Sequence, residues 1–123
     1  MALRVLVIDD SRFTTELVRD GLEDEFEVLT AENGREGLRL ARTELPDIIV
    51  LDLVLPDIPG ESVCRELKHG KTETIPVIML TAKGTDADKV VGRVIGADVY
   101  IAKPFQMDDL LTAIRQLAGK GNG

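Results

Sequence analysis

The chain has 123 residues, of which 44% are hydrophobic and 30% are charged. At ~150 residues for a common domain, this length leaves room for one folded unit, and the composition excludes wholesale disorder because it supplies both a core and a solvated surface. The 15 basic residues against 22 acidic ones leave a net charge of −7, which argues against direct binding to nucleic acid.

Short apolar runs alternate with longer amphipathic stretches, which is the pattern of repeated strand-then-helix units. The runs are rich in Val and Ile and apolar on both faces, as expected of strands in a parallel sheet with helices on both sides. They predict five strands, at Arg4–Ile8, Glu27–Ala31, Ile48–Asp52, Pro76–Thr81 and Val99–Ala102.

Apolar residues at helical spacing predict a helix after each strand. The five stripes contain Phe13 and Leu17 with Thr14, Val18 and Leu22; Leu38, Ala41 and Leu45; Val63 and Leu67; Val90, Val91, Val94 and Ile95; and Leu110, Ile114 and Leu117. The predicted fold is an α/β domain over residues 1–118, a doubly wound (βα)5 unit on a five-stranded parallel sheet. Residues 119–123 are predicted to be a flexible tail or the stub of a linker.

Polar side chains stand where the apolar runs stop. The first strand ends in Asp9 and Asp10, the third in Asp52 and the fourth in Thr81, and Lys103 follows the fifth. Because parallel strands point the same way, these groups gather at the carboxyl edge of the sheet, where open α/β sheets bind ligands. The strand order 2-1-3-4-5, taken from that general rule, places strands one and three side by side and brings the three carboxylates together.

Three carboxylates in one crevice need a cation. Two unit charges ~4 Å apart interact by about 4 kcal/mol at an effective dielectric of about 20, and Lys103 compensates only one of the three. A hard divalent ion would compensate the others, and a donor set made only of oxygen favours Mg²⁺ over zinc. A carboxylate beside such an ion can attack a phosphoryl group, and Asp52, alone on the middle strand, is the candidate nucleophile.

Four segments carry a resemblance to a known family: VLVIDDS (Val5–Ser11), PDIIVLDLVLPDIPG (Pro46–Gly60), PVIMLTA (Pro76–Ala82) and GADVYIAKPF (Gly96–Phe105). In this order and spacing they resemble the receiver domains of two-component response regulators, a family that includes the chemotaxis regulators. The resemblance implies a flavodoxin-like fold and a phosphorylation-activated signalling switch. It implies no enzyme beyond a domain that catalyses its own phosphorylation and dephosphorylation.

The resemblance also implies roles for the acidic residues. By it, Asp52 is the phosphoacceptor, and Mg²⁺ is held by Asp9, Asp10, Asp52 and the backbone carbonyl of Val54.

Further roles follow from the same resemblance. Lys103 contacts the phosphoryl oxygens, Thr81 is the hydroxyl that moves to bond the phosphoryl group, and Tyr100 is the aromatic switch that rotates inward with it. As the sole tyrosine, Tyr100 is equally well interpreted as a half-buried core residue, and the two roles are compatible. Lys103–Pro104 resembles the family's cis peptide.

The partners implied are a sensor histidine kinase or a phosphotransfer protein as donor. Downstream, a protein or an output domain would bind the face formed by the fourth helix, fifth strand and fifth helix, and the chain would be a monomer or a phosphorylation-dependent dimer. The longest apolar stretches are four residues against the ~20 that a membrane span needs. A single cysteine allows no internal disulfide, so we expect a cytoplasmic protein.

The alternative hypothesis is a phosphatase-like enzyme that forms an aspartyl-phosphate on a similar sheet. Such enzymes commonly carry a second aspartate two residues after the nucleophile, where this chain has Val54. A flavin-binding electron carrier of the same topology is less favoured, because aromatic residues make up only 3% of the chain and three carboxylates would repel a cofactor phosphate.

Overall fold

The computed structural model describes residues 2–81 and 96–121, so the fourth predicted helix, around residues 90–95, lies outside the described residues. The described elements, in chain order, are β1 (Arg4–Ile8), α1 (Arg12–Leu22), β2 (Glu27–Ala31), α2 (Gly34–Glu44), β3 (Ile48–Asp52), α3 (Gly60–Leu67), a 3₁₀ turn (Gly70–Thr72), β4 (Val77–Thr81), β5 (Val99–Ala102) and α4 (Met107–Gly121). The helix labelled α4 is the one predicted as the fifth.

The strand predictions agree with the structure, apart from the start of β4. That strand begins at Val77 because Pro76 has no N–H to donate to a neighbouring strand. The carbonyl of Pro76 still accepts a hydrogen bond from the Ile49 N–H at 3.0 Å. At the other end of the chain, α4 runs to Gly121, three residues past the domain boundary predicted at Ala118.

The five strands form one parallel sheet in the order β2-β1-β3-β4-β5, which confirms the predicted topology. In the β1–β3 pair, Ile8 lies opposite Leu51. The next residue along each strand is an aspartate, so the register itself places Asp9 beside Asp52. On the far side, Thr81 of β4 lies opposite Ala102 of β5, and Lys103 therefore continues from β5 at the same edge.

Successive strand residues point to opposite faces of the sheet, and helices cover both faces. On one face a buried cluster joins Leu6, Ile8, Ile49, Leu51 and Met79 to residues of α2 and α3. On the other face a second cluster joins Val5, Val7, Val50, Ile78 and Leu80 to residues of α1 and α4. The sheet is therefore rigid where it presents its carboxyl edge.

Two helix stripes differ from the prediction. In α1 the buried residues are Thr15, Val18 and Leu22, whereas Phe13 is 77% exposed and Leu17 is also exposed. The i, i+3, i+7 set faces the sheet, and Phe13 and Leu17 lie on the flank of the helix. In α2 the predicted core residue Leu45 instead ends the helix in a left-handed conformation, with φ 46°, and its side chain is 48% exposed.

No helix within the described residues is both long enough and apolar enough to cross a membrane.

Gly60 allows the first turn of α3 to approach the end of β3. A Cβ at this position would overlap the backbone carbonyl of Asp52 and lie 2.7 Å from the Leu53 Cα. The Gly60 N–H also donates to the Leu53 carbonyl at 2.9 Å. Because the obstructing atoms are backbone, they cannot rotate away.

We expect Gly60→Ala to destabilise the domain by about 1–3 kcal/mol, the usual cost of overpacking. Gly119→Ala is the matched control, since a Cβ at Gly119 meets nothing within 4 Å and an added helix-former gives at most about 1 kcal/mol of stabilisation. Urea unfolding measures both. Equal stability of the two variants would contradict the close approach at Gly60.

Candidate functional site

The structure brings the three predicted carboxylates together at the carboxyl edge of the sheet. One oxygen from each of Asp9, Asp10 and Asp52 lies within 4.8 Å of the others. Asp9 is fully buried and Asp52 is 7% exposed, whereas Asp10 is exposed. The cluster is therefore walled in on the protein side and open to solvent at Asp10.

Lys103 reaches into this cluster from the end of β5. Its Nζ donates to Asp9 Oδ2 at 2.7 Å and to Asp52 Oδ2 at 3.4 Å. The peptide bond that follows, Lys103–Pro104, is cis. One ammonium group thus bridges the carboxylates of two strands, β1 and β3.

Asp9 is held in place by its second oxygen. Asp9 Oδ1 accepts the backbone N–H of Ser11 at 2.9 Å, and Ser11 Oγ in turn accepts the N–H of Thr14 in the first turn of α1. The two oxygens of Asp9 therefore face two fixed donors, the Ser11 amide and the Lys103 ammonium. The side chain is thus held at both oxygens and is itself buried.

Asp52 is a carboxylate whose surroundings disfavour its charged form. Burial and the neighbouring charge of Asp9 raise the pKa of Asp52, while the N–H of Val54, at 3.2 Å from Oδ1, and Lys103 oppose the change. For Lys103, burial lowers the pKa, but the hydrogen bond to Asp9 and the charges of Asp9 and Asp52 outweigh it, so that the pKa is raised. The lysine stays protonated and the site stays short of positive charge.

The donor set fits a small divalent cation. Three carboxylates and one ammonium leave two uncompensated negative charges, and all the donor atoms are oxygen, which suits Mg²⁺. Asp10, on the open side, gives the ion access from solvent. Positions not taken by the protein would remain for water or phosphate oxygens.

The other predicted site residues lie on β4, on β5 and just after β3. Val54 follows Asp52 by two residues and its side chain is 68% exposed. Thr81 is the last residue of β4. Tyr100 lies on β5, opposite Met79 of β4. It is half-buried and packs against the core cluster on the α2–α3 face, a position compatible with an aromatic switch and with a core residue.

Two features of the site escaped the sequence prediction. One is the cap that Asp57, in the loop between β3 and α3, places on α2 through the N–H groups of Gly34 and Arg35. No local pattern signals a contact across more than 20 residues. The other is Ser11, whose position just before an apolar-periodic stretch is a recognisable helix-start signal.

An apolar groove of about 410 Å³ adjoins the cluster. It is lined by Phe13, Thr14, Leu17, Lys103, Pro104 and Phe105. Lys103 is thus shared between the groove and the carboxylates, which makes the exposed flank of α1 continuous with the site.

The topology and the lysine-bridged carboxylates at its edge define a flavodoxin-like α/β protein with an acidic, all-oxygen site that suits a small divalent cation. The chain belongs to the response regulator receiver domain family, whose model matches residues 5–115. It is therefore the regulatory receiver domain of a two-component response regulator.

Named relatives are similar over nearly the whole chain. It is 40% identical over 118 residues to the alkaline phosphatase synthesis transcriptional regulatory protein PhoP of Bacillus subtilis, a match that covers 95% of this chain and 49% of that protein. It is 38% identical over 118 residues to the response regulator MprA of Mycolicibacterium vanbaalenii, covering 95% of this chain and 51% of that one. The chain thus spans about half the length of these curated relatives.

Solved structures agree with the fold. The receiver domain of the Francisella response regulator 1452 superposes with a TM-score of 0.91 at 30% identity, covering 97% of this chain and 98% of that chain. The chemotaxis response regulator CheY4 of Vibrio cholerae superposes with a TM-score of 0.89 at 29% identity, covering 95% of this chain and 99% of that chain.

The raised pKa of Asp52 predicts a stability change with pH. In the unfolded chain the pKa of an aspartate is about 3.9, and in the folded chain the pKa of Asp52 is higher. Ionised Asp52 therefore lowers stability progressively as pH rises from the unfolded pKa through the folded one. We expect the melting temperature of Asp52→Asn, measured without divalent cation, to be a few degrees above that of the wild type at pH 7. The difference between the two melting temperatures should shrink toward pH 4.

Thermal unfolding followed by circular dichroism between pH 4 and pH 8 checks this expectation. Asp24→Asn, at an exposed position after α1, is the control for general charge effects. An Asp52→Asn protein that melts lower than the wild type at pH 7 would show that Lys103 already neutralises the site.

Proposed function

We propose that this receiver domain accepts a phosphoryl group on Asp52, in a Mg²⁺-dependent reaction, from the phosphohistidine of a sensor histidine kinase or a phosphotransfer protein. The contact of Lys103 Nζ with both Asp9 and Asp52, beside Asp10, is the observation that carries the proposal. The contact brings a buried carboxylate, an ammonium group and further carboxylate oxygens into one small volume, which supports a nucleophilic role for Asp52. The same site would catalyse the later hydrolysis of the aspartyl-phosphate.

In the transfer, a carboxylate oxygen of Asp52 forms a bond to phosphorus while the phosphorus–nitrogen bond to the donor imidazole breaks and the imidazole leaves with the electron pair. Lys103 is within reach of the new phosphoryl oxygens because it already approaches Asp52 Oδ2 at 3.4 Å. A protonated lysine there stabilises the charge that spreads over those oxygens. Its contact with Asp9 keeps it in that place before the donor arrives.

We assign the cation to Asp9, Asp10, Asp52 and the backbone carbonyl of Val54. When bound, Mg²⁺ would neutralise the carboxylates and the incoming phosphoryl oxygens. Support comes from the all-oxygen donor set, from the two uncompensated charges and from the exposure of Asp10. Asp9, whose oxygens also accept from the Ser11 N–H and from Lys103, would in addition hold the lysine beside the site.

We propose that the effect of phosphorylation reaches the partner-binding face through β4 and β5. Thr81 ends β4 opposite Ala102, and Tyr100 lies two residues before Ala102 on the paired strand β5, so a displacement of the threonine toward the phosphoryl group would take place on the strand beside the tyrosine. Phosphorylation would bias the equilibrium between two positions of Tyr100. The receptor of the signal would be a downstream protein or a linked output domain that binds the face of the predicted fourth helix, β5 and α4.

Two properties complete the proposal. The net charge of −7 makes this domain unsuited to contact nucleic acid. Where the output is transcriptional, as the name of the Bacillus subtilis relative says of that protein, the contact would be made by another part of the protein. We propose a cytoplasmic location and a monomer that dimerises, if at all, on phosphorylation.

The phosphatase-like alternative is not supported. Val54 stands where such an enzyme needs a second aspartate, and its side chain is an exposed hydrocarbon that can act neither as acid nor as base. The family match is to a regulatory domain.

Labelling by a small phosphodonor tests the proposal directly. With acetyl phosphate we expect stoichiometric labelling of the wild type only when Mg²⁺ is present, and loss of labelling in Asp52→Asn. Asp47→Asn is the matched control, because Asp47 lies beyond the opposite edge of the sheet, where it accepts the Arg4 N–H. Mass spectrometry measures the added phosphate, and an Asp52→Asn protein that labels as the wild type does would refute the assignment.

The groove beside Lys103 is proposed to receive the phosphohistidine-bearing protein. Any donor that brings an imidazole to Asp52 must cover the rim that Lys103 shares with Phe13, Leu17 and Phe105. Large apolar side chains at such a rim are typical anchors of an interface.

We therefore expect Phe13→Ser to slow phosphotransfer from a protein donor about tenfold, since loss of an anchor costs more than about 1 kcal/mol. Labelling by acetyl phosphate should not change. Leu45→Ser is the control, an exposed leucine at the opposite edge of the sheet. The assay uses any histidine phosphotransfer protein that phosphorylates the wild type, and an equal loss in both variants would argue against docking at α1.

A further inference from the structure

The first turn of α2 is capped from two directions. Asn33 Oδ1 accepts the N–H of Glu36 at 2.8 Å, which is ordinary capping by the residue before the helix. The N–H groups of Gly34 and Arg35 donate instead to the carboxylate of Asp57, to Oδ1 at 2.8 Å and to Oδ2 at 3.0 Å. A charged cap therefore comes from the loop between β3 and α3.

This loop is the segment that carries Val54. At its start, the Leu53 N–H donates to the Leu80 carbonyl at 2.9 Å, and the Leu53 carbonyl accepts the Gly60 N–H. Further along the loop, Asp57 ties it to the first turn of α2. Val54, between these two points, has a mostly exposed side chain, so its own packing does not fix its backbone. Its position is set by its N–H, which donates to Asp52 Oδ1, by the neighbours that pack against the core, Leu53, Leu55 and Ile58, and by the Asp57 tether.

The helix and the loop are in direct contact. A Cβ at Gly34 would lie 3.2 Å from Asp57 Oδ1 and 3.2 Å from the Ile58 Cβ. Although burial alone would raise the pKa of Asp57, the N–H groups of Gly34, Arg35 and Ile58 lower it. The carboxylate therefore carries its full charge at neutral pH, next to the positive end of the α2 dipole.

We propose that Asp57 is a positioning residue for the cation site: by tying the β3–α3 loop to the start of α2, it holds the Val54 carbonyl in reach of the cation that Asp9, Asp10 and Asp52 bind. The inference rests on the proposed function, because it presupposes that Mg²⁺ binds there. It assigns α2, which contributes no ligand, a part in metal affinity.

Isothermal titration of the unphosphorylated chain with MgCl₂ tests the proposal. Asp57→Ala should raise the Mg²⁺ dissociation constant about tenfold, the scale on which residues that orient metal ligands act. Asp57→Asn, which keeps one oxygen acceptor, should fall between Asp57→Ala and the wild type. Asp47→Ala, the control, removes a carboxylate that accepts the Arg4 N–H at 2.8 Å far from the site, and should leave the constant unchanged.

Amide hydrogen exchange without metal gives a second measurement. The Val54 N–H, which donates to Asp52 Oδ1, should exchange faster in Asp57→Ala than in the wild type and at the wild-type rate in Asp47→Ala. Each of the two variants, Asp57→Ala and Asp47→Ala, removes a carboxylate that accepts a backbone N–H and can lower the stability of the whole domain. Faster exchange of the Val54 N–H in Asp57→Ala alone therefore indicates a loosened loop.

A wild-type Mg²⁺ dissociation constant in folded Asp57→Ala overturns the inference and leaves the proposed function intact. If Asp57→Ala does not fold, Asp57→Asn decides, and an affinity equal to that of the wild type overturns the inference. A wild-type chain that binds no Mg²⁺ refutes the proposed function itself, so the two failures are distinguishable.

Discussion

The repulsion among three carboxylates at the carboxyl edge of the sheet is the constraint on which this structure depends. The β1–β3 register places Asp9 beside Asp52, and Asp52 has a raised pKa because it is buried next to that charge. Lys103 relieves part of the repulsion by contacting both. Folding thus produces an acidic site that suits a cation, and a bound cation would add to the stability of the domain.

A rigid scaffold is needed to keep like charges together. Two buried clusters, one on each face, fix the central strands β1 and β3, and Gly60 lets α3 begin directly against the backbone of Asp52. By contrast, the exposed apolar groups near the site lie on a loop and on a helix flank, as Val54 and Phe13 do. The division allows the site to change its ligands without a change of core packing.

The surface around the site differs from what helical periodicity alone suggests. Phe13 and Leu17 have the spacing of a core stripe, yet Thr15 is buried in their place. A threonine can be buried in a helix when its hydroxyl bonds to the preceding turn, as Thr15 Oγ1 does with the Arg12 carbonyl at 3.1 Å. Two exposed apolar side chains beside Lys103 are then available to a partner, and hydrophobicity by itself does not distinguish that role from burial.

The sequence by itself determined the strand pattern, the parallel sheet and the residues at the strand ends, because short continuous apolar runs rich in Val and Ile, and the breakers between them, are local signals. It also indicated the all-oxygen donor set, since residue type alone sets ligand preference. Only the tertiary structure decided which of those residues touch. Lys103 and Asp9 are 94 residues apart and meet through strand register, and Asp57 caps α2 from a loop 23 residues further along the chain from Gly34. Contacts of this kind depend on how elements pack in three dimensions, and no local pattern of residues encodes them.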